Sequence, residues 1–202
     1  MRAAMRILAI DPGYDRLGIA VVEGNSSRPV LIMSECVRPE KGMRADRLAV
    51  VANAVTKAIK DYAPDVLAIE TLFFSTNKKT ALGVAEARGA ILAAAGIASL
   101  PVIECSPQQV KIAVTGQGGA DKAAIANMIP RLILLPKKKR LDDELDAIAV
   151  GITALAFGLP ARESPPPEKA GVAREENLFK FMRSRAQVAF NYNLSVWKKT
   201  KS

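Results

Sequence analysis

Four carboxylates lie where carboxylates are unusual. Asp11 and Glu70 each end a run of apolar residues that is typical of a buried strand. Asp143 and Asp146 are three residues apart at the start of a predicted helix, so both can face the same way. A buried carboxylate is costly unless it is paired or binds a cation. If the four converge, they form an oxygen-only cluster suited to Mg²⁺ or Mn²⁺, and two such ions can support phosphodiester hydrolysis.

Each acid also has a simpler explanation. An acidic first helical turn, such as Asp142 to Glu144, can serve only to complement the helix dipole. Asp11 precedes Pro12 and Gly13, and aspartate is common in turns. Glu70 has no comparable structural explanation. The residue types alone therefore leave both a metal site and these structural roles open.

The composition limits which partners and which catalytic groups the protein can have. The chain of 202 residues has a formal charge of +9, which favours a polyanionic partner such as nucleic acid. It contains no histidine, which excludes Ser-His-Asp and Cys-His nucleophile systems and His-ligated metal sites. Cys36 and Cys105 lie in apolar runs and are predicted to be buried free thiols. The N-terminus predicts no signal peptide, so we expect a cytoplasmic protein.

The order of predicted elements indicates an α/β domain with a mixed five-stranded sheet. Three consecutive strands favour an antiparallel meander, and the strand–helix alternation that follows favours parallel additions. The predicted strands are 6–11, 17–22, 30–37, 66–70 and 101–105, and the predicted helices are 44–62, 78–95, 107–114, 120–135 and 141–157. The domain is expected to span residues 1–158. A Pro-rich linker over 159–172 and a basic, aromatic tail over 173–202, with the apolar spacing of one helix, are expected to follow.

Five segments in order resemble the RuvC family, the bacterial Holliday junction resolvases, over residues 6 to about 157. They are Ile10-Asp11-Pro12-Gly13, Ala68-Ile69-Glu70 followed by Phe73, Asn77 with Ala85-Glu86-Ala87-Arg88-Gly89, Gln109-Val110-Lys111, and Asp143-Glu144-Leu145-Asp146-Ala147-Ile148-Ala149. The resemblance implies an RNase H-like fold flanked by helices. It also implies a Mg²⁺-dependent endonuclease that places paired symmetric nicks across four-way DNA junctions in recombination and repair.

The resemblance also implies roles for particular residues. Asp11, Glu70, Asp143 and Asp146 match the family's catalytic acids, which hold two Mg²⁺ ions per active site, with Mn²⁺ as a substitute. Phe73 matches an aromatic that stacks on bases near the junction centre, and its neighbour Phe74 is also expected to bind DNA. Two adjacent aromatics of an extended segment cannot both point inward, so Phe73 and Phe74 are expected to divide between core and surface. Lys111 and Lys122 match lysines near the scissile phosphates, and Lys78 is expected to add a phosphate contact. The helix over 78–95 is implied to be the interface of a homodimer, and the RuvA–RuvB branch-migration complex an implied partner.

Some features depart from the family pattern and keep alternatives open. The segment from Tyr14 to Gly18 is more similar to the YqgF family, RNase H-like nucleases that process ribosomal RNA. A non-cleaving junction-binding protein would share the basic charge but has no need to bury four repelling acids. An ATP-using protein of the actin-like superfamily would need a second hairpin and a second domain, which the chain lacks. Pro130 interrupts a helix that usually runs without proline, and the tail beyond Pro160 has no counterpart in the family.

Overall fold

The computed structural model describes residues 4–71 and 78–157. The described elements follow the predicted order. They are β1 (Met5–Asp11), β2 (Leu17–Asn25), β3 (Arg28–Val37), α1 (Arg44–Tyr62), β4 (Val66–Glu70), α2 (Lys78–Ile97), β5 (Val102–Cys105), α3 (Pro107–Thr115), α4 (Lys122–Leu132) and α5 (Asp142–Phe157). The predicted linker over 159–172 and tail over 173–202 lie outside the described residues. No helix in the described ranges is long and apolar enough to cross a membrane.

The five strands form one mixed sheet in the order β3-β2-β1-β4-β5. β1 pairs antiparallel with β2, which pairs antiparallel with β3, as the predicted meander requires. β1 pairs in parallel with β4, and β4 in parallel with β5. This arrangement confirms the predicted mixed five-stranded α/β fold. It also places the carboxyl ends of β1 and β4 side by side at one edge of the sheet.

Helices cover both faces of the sheet, so its central strands are buried on both sides. Successive residues of β1 alternate between two cores: Ile7 and Ala9 pack with α3, α4 and α5, and Leu8 and Ile10 pack with α1 and α2. The α5 helix is buried almost continuously from Ala147 to Leu155, which explains why its sequence is nearly all apolar. Two packed layers hold the ends of β1, β4 and α5 rigidly in place.

Two local predictions need correction. The helix predicted over 120–135 runs only from Lys122 to Leu132, because the Asp121 side chain caps it by accepting a hydrogen bond from the backbone N–H of Ala124. Pro130 lies inside its last turn, and the chain is extended at Ile133. Both cysteines are free as predicted, but Cys36 is only half-buried, since it lies near the end of the edge strand β3.

Candidate active site

Asp11 and Glu70 lie side by side because the topology places them there. Ile10 pairs in register with Ile69 across the parallel β1–β4 ladder, so the next residue of each strand emerges at the same edge. The strands are rigid and fully buried just before these acids. The convergence predicted from the sequence therefore holds for the first two carboxylates.

The start of α5 reaches this edge because Gly18 allows it. Gly18 pairs with Asp11 across the β1–β2 ladder. A Cβ atom at Gly18 would lie 2.0 Å from the backbone oxygen of Asp143, which is much closer than atoms can approach. Glycine at this position lets the first turn of α5 rest on β2, beside Asp11. The third and fourth acids, Asp143 and Asp146, are thereby carried to the ends of β1 and β4.

The electrostatics show that these acids act on one another. The pKa of Asp11 is raised to about 7, first by burial and then by the charges of Asp146, Glu70 and Asp143, while Lys122 opposes the shift. Burial and the charge of Asp146 also raise the pKa of Glu70. The four carboxylates thus form a site with an excess of negative charge, which a cation would relieve.

Two basic side chains already pair with the acids on α5. The Nζ atom of Lys122 lies 2.7 Å from Oδ2 of Asp146, and the Nε atom of Arg16 lies 3.3 Å from Oδ2 of Asp143. The Cys36 thiol also approaches Oδ2 of Asp143, at 3.9 Å. These partners come from three different elements, the β1–β2 hairpin, β3 and α4.

The donor set fits a hard divalent cation. All four ligand candidates are carboxylates, and such oxygen-only sites suit Mg²⁺ or Mn²⁺ better than softer metals. Across residues 4–71 and 78–157, no three acidic or thiol side chains form a ready-made cage for a metal ion. Asp143 and Asp146 are directed instead to Arg16 and Lys122, so binding a metal at this edge requires these acids to exchange partners.

A cleft of about 290 Å³ opens beside the acids. Its lining includes Glu70 and Asp146 together with Lys111 and Lys122. The two lysines expected near the scissile phosphates are therefore brought to the same cleft as two of the four acids. The cleft is open to solvent, so both lysines are accessible from outside the protein.

The structure does not locate the side chains of three residues that were expected to bind DNA. Phe73 and Phe74 lie outside the described residues. Lys78 is the first residue of α2, and the structure describes only its backbone. Their proposed roles stay predictions.

Arg88 is a site residue that the sequence analysis did not single out. Its guanidinium donates a 2.7 Å hydrogen bond to the backbone oxygen of Glu70 and forms a 2.7 Å ion pair with Glu104 on β5. The Arg88 side chain is only 12% exposed, whereas that of Glu104 is 50% exposed, so the link to β4 is partly buried and the ion pair with β5 is accessible to water. The sequence showed Arg88 only as part of a matching segment, because its partners are distant along the chain.

A second polar cluster supports the start of α5. The buried Glu144 accepts hydrogen bonds from the Ser34 hydroxyl (2.9 Å) and from Nζ of Lys138 (2.8 Å). Burial alone would raise the pKa of Glu144, but these hydrogen bonds lower it below its usual value. Arg140 also donates to the Ser34 hydroxyl. The basic segment before α5 is thereby attached to β3, beside Asp143.

Comparison with known proteins places these features in a family. The chain matches the family model for the crossover junction endodeoxyribonuclease RuvC over residues 7–154. It is 42% identical over 156 residues to the protein of that name from Brevibacillus brevis, covering 76% of this chain and 93% of that protein. It is 44% identical over 151 residues to the one from Desulforamulus reducens, covering 73% of this chain and 91% of the relative.

Solved structures give the same result. A structure described as T. thermophilus RuvC in complex with Holliday junction substrate matches with a TM-score of 0.71 and 30% identity, covering 76% of this chain and 94% of that one. The yeast mitochondrial Holliday junction resolvase Ydc2 matches with a TM-score of 0.56 and 11% identity, covering 75% of this chain and 79% of that one. The second match shows likeness of fold alone. Together the matches confirm the predicted RNase H-like architecture.

Proposed function

Because the chain belongs to the RuvC family of crossover junction endodeoxyribonucleases, we propose that it resolves four-way DNA junctions by paired symmetric nicks in recombination and repair. The observation that carries the proposal is the meeting of four carboxylates at the ends of β1, β4 and α5, where burial and mutual repulsion leave negative charge unbalanced. A protein that only bound junctions would gain nothing from this arrangement, since it costs folding free energy.

Asp11, Glu70, Asp143 and Asp146 would hold the divalent metal on which a nuclease of this family depends. We propose two Mg²⁺ ions per active site, with Asp11, Glu70 and Asp146 as the principal ligands and Asp143 completing the second site. Bound there, the ions would supply an activated water and stabilise the departing oxygen of the phosphodiester. The chain has no histidine to activate a serine or cysteine, which favours direct hydrolysis without a covalent enzyme intermediate.

Basic residues at the cleft would bind and position the DNA strand. Lys111 and Lys122 line the same cleft as Glu70 and Asp146, so a phosphate group there would contact both signs of charge at once. Phe73 is proposed to stack on bases at the junction centre, Phe74 to bind DNA beside it, and Lys78 to contact a phosphate. Such contacts recognise the branched shape and the backbone of the junction, with hydrolysis left to the acids.

We propose that the active unit is a homodimer formed through α2. The side chain of Leu82 is 57% exposed, and Gly89, one heptad further along, has open space around it. An exposed leucine and an uncrowded glycine two turns apart on one side of α2 offer a surface on which a second copy of the helix can pack. In sedimentation velocity the wild-type protein should be a dimer, and the Leu82→Arg variant should be shifted toward the monomer. A cytoplasmic location and association with RuvA–RuvB belong to the same proposal.

The proposal is tested with a synthetic four-way junction whose four strands carry different labels. The wild-type protein should give paired symmetric nicks, with ligatable 5′-phosphate and 3′-hydroxyl ends, only when Mg²⁺ is present. A linear duplex and a structured RNA of equal length serve as substrate controls. Asp11→Asn should abolish nicking and leave junction binding intact.

Asp142→Asn is the matched control variant. Asp142 is exposed at the start of α5, next to Asp143, and its loss should leave cleavage nearly unchanged. Cleavage that persists in Asp11→Asn would contradict the site assignment. Cleavage of the RNA in preference to the junction would favour a YqgF-like nuclease, and tight junction binding without nicks in Mg²⁺ or Mn²⁺ would favour a binding protein.

A further inference from the structure

The side chain of Arg16 occupies a position that its ion pair does not fully explain. It projects from the turn between β1 and β2, and its Nε atom lies 3.3 Å from Oδ2 of Asp143. The Arg16 side chain is 49% exposed, whereas that of Asp143 is 14% exposed. An exposed arginine that makes one long contact contributes little to stability. About half of the Arg16 side chain is thus open to solvent at the edge of the sheet that holds the acids.

The strand order places Arg16 on the other side of the acids from the lysines of the cleft. Arg16 directly precedes β2, on the β3 side of Asp11, whereas Glu70 ends β4 on the opposite side. Lys111 and Lys122 line the cleft with Glu70 and Asp146. The acids are therefore flanked by positive charge on both sides along the sheet edge.

Other basic residues extend the positive charge on the Arg16 side. Arg38, just beyond the end of β3, interacts with Cys36, whose thiol approaches Asp143. Lys138 donates a hydrogen bond to the backbone oxygen of Ser34 and Arg140 donates one to its hydroxyl, so both residues are attached to β3. Arg16, Arg38, Lys138 and Arg140 are here called the β3-side basic group. Within this group, Lys138 pairs with the buried Glu144 and Arg16 pairs with the largely buried Asp143.

An arginine suits this position better as a phosphate ligand than as a permanent partner of Asp143. The guanidinium group can match a phosphodiester with two parallel N–H donors, and the Arg16 side chain is exposed enough to present them to a ligand. Asp143 is also one of the acids proposed to hold metal, so it cannot keep Arg16 as its main partner when the site is loaded. Release of Asp143 would leave the guanidinium beside the reacting strand.

We propose that Arg16 binds the phosphate backbone of the cleaved strand on the β3 side of the acids, opposite Lys111 and Lys122, and exchanges Asp143 for phosphate when metal occupies the acids. The inference rests on the proposed junction cleavage and adds a specific DNA contact to it. Holding the strand from both sides would align the scissile phosphate over the acids and limit its motion along the cleft.

The test measures junction binding rather than cleavage. Fluorescence anisotropy gives the junction Kd for the wild type and for Arg16→Ala, Arg16→Lys and Arg28→Ala at several salt concentrations. Each protein is measured with Ca²⁺ in place of Mg²⁺ and again with EDTA, and a denaturing gel verifies that the strands stay intact. Arg28 is the matched control, since it is an exposed arginine at the opposite end of the β2–β3 hairpin.

In Ca²⁺, Arg16→Ala should weaken binding about tenfold and lower the slope of log K against log salt by about 0.9, as expected for one lost phosphate contact. Arg16→Lys should keep most of the slope, and Arg28→Ala should match the wild type. The loss should be smaller in EDTA, where Asp143 still holds the guanidinium. Equal Kd and slope for Arg16→Ala and wild type would overturn the inference, and an equal loss with and without Ca²⁺ would overturn the exchange of partners.

The outcome is separable from that of the proposed function. If the wild type nicks the junction in Mg²⁺ but Arg16→Ala binds it as well as Arg28→Ala does, only the Arg16 inference fails. If the wild type produces no nicks, the proposed function fails whatever the Arg16 variants do.

Discussion

Replacing Asp11 with asparagine should stabilise the metal-free protein while it removes cleavage. The pKa of Asp11 is about 7 in the folded chain, against a value of 3.8 for the unperturbed group. The folded state therefore binds the Asp11 proton more tightly than the unfolded state does. As the pH rises from about 4 to about 7 the free energy of unfolding falls, and above about 7 the loss is complete.

The size of the effect follows from the same two values. A difference of about 3 pKa units corresponds to about 4 kcal/mol, at about 1.4 kcal/mol per unit. This figure is an upper bound because water penetration and side-chain movement relieve part of the repulsion. Asparagine has nearly the same shape and no charge, so Asp11→Asn should recover about 1–4 kcal/mol at about pH 8.

The assay is urea unfolding followed by circular dichroism, in EDTA, at about pH 8 and about pH 5. Asp11→Asn should unfold at higher urea than the wild type at about pH 8, and the difference should shrink at about pH 5, where the wild-type carboxyl is protonated. Asp142→Asn, at the exposed neighbouring position, should change stability by less than about 1 kcal/mol. Mg²⁺ should raise the stability of the wild type more than that of Asp11→Asn.

Two results would refute this reasoning. Equal or lower stability of Asp11→Asn at about pH 8 would show that Asp11 is not under electrostatic strain. A gain of the same size at both pH values would show that the effect comes from packing rather than from charge.

Three further predictions test how the site is positioned. Arg88→Ala should lower stability by about 1–3 kcal/mol and slow cleavage, because it removes the partly buried, charge-assisted hydrogen bond that holds the backbone of Glu70; urea unfolding and single-turnover rates measure both effects, and Arg88→Lys should restore neither fully. Gly18→Ala should displace the first turn of α5 away from the sheet, since a Cβ atom there meets the backbone oxygen of Asp143, and the expected loss of Mg²⁺-induced stabilisation is measurable by thermal unfolding. Lys122→Ala should slow single-turnover cleavage about tenfold or more by removing a positive charge from the cleft; an unchanged rate at saturating Mg²⁺ would exclude this role.

Much of the fold was predictable from the sequence because its signals are local. The apolar runs of β1 and β4 identified two strands, and the carboxylate at the end of each run indicated that both acids could bind the same cation. The meander of β1, β2 and β3 followed from short connections, and the α1 boundaries followed from helical spacing and Pro64. The end of α4 was wrong because Pro130 fits into a last helical turn, and only the packing of that turn decides where the helix stops.

Some features of the candidate site were likewise predictable from local sequence, and others depend on residues that are distant in the chain. The sequence by itself determined which acids could bind a cation, since carboxylates at the ends of apolar strands and three apart on a helix are visible in the order of residues. The tertiary structure decided their charge balance, because burial and distances between strands set the raised pKa of Asp11. The tertiary structure also decided which basic residues contact the acids. Arg16 pairs with Asp143, and Arg88 donates a hydrogen bond to the backbone of Glu70. These partners are far apart in the sequence, so they meet only when the sheet and its helices pack together.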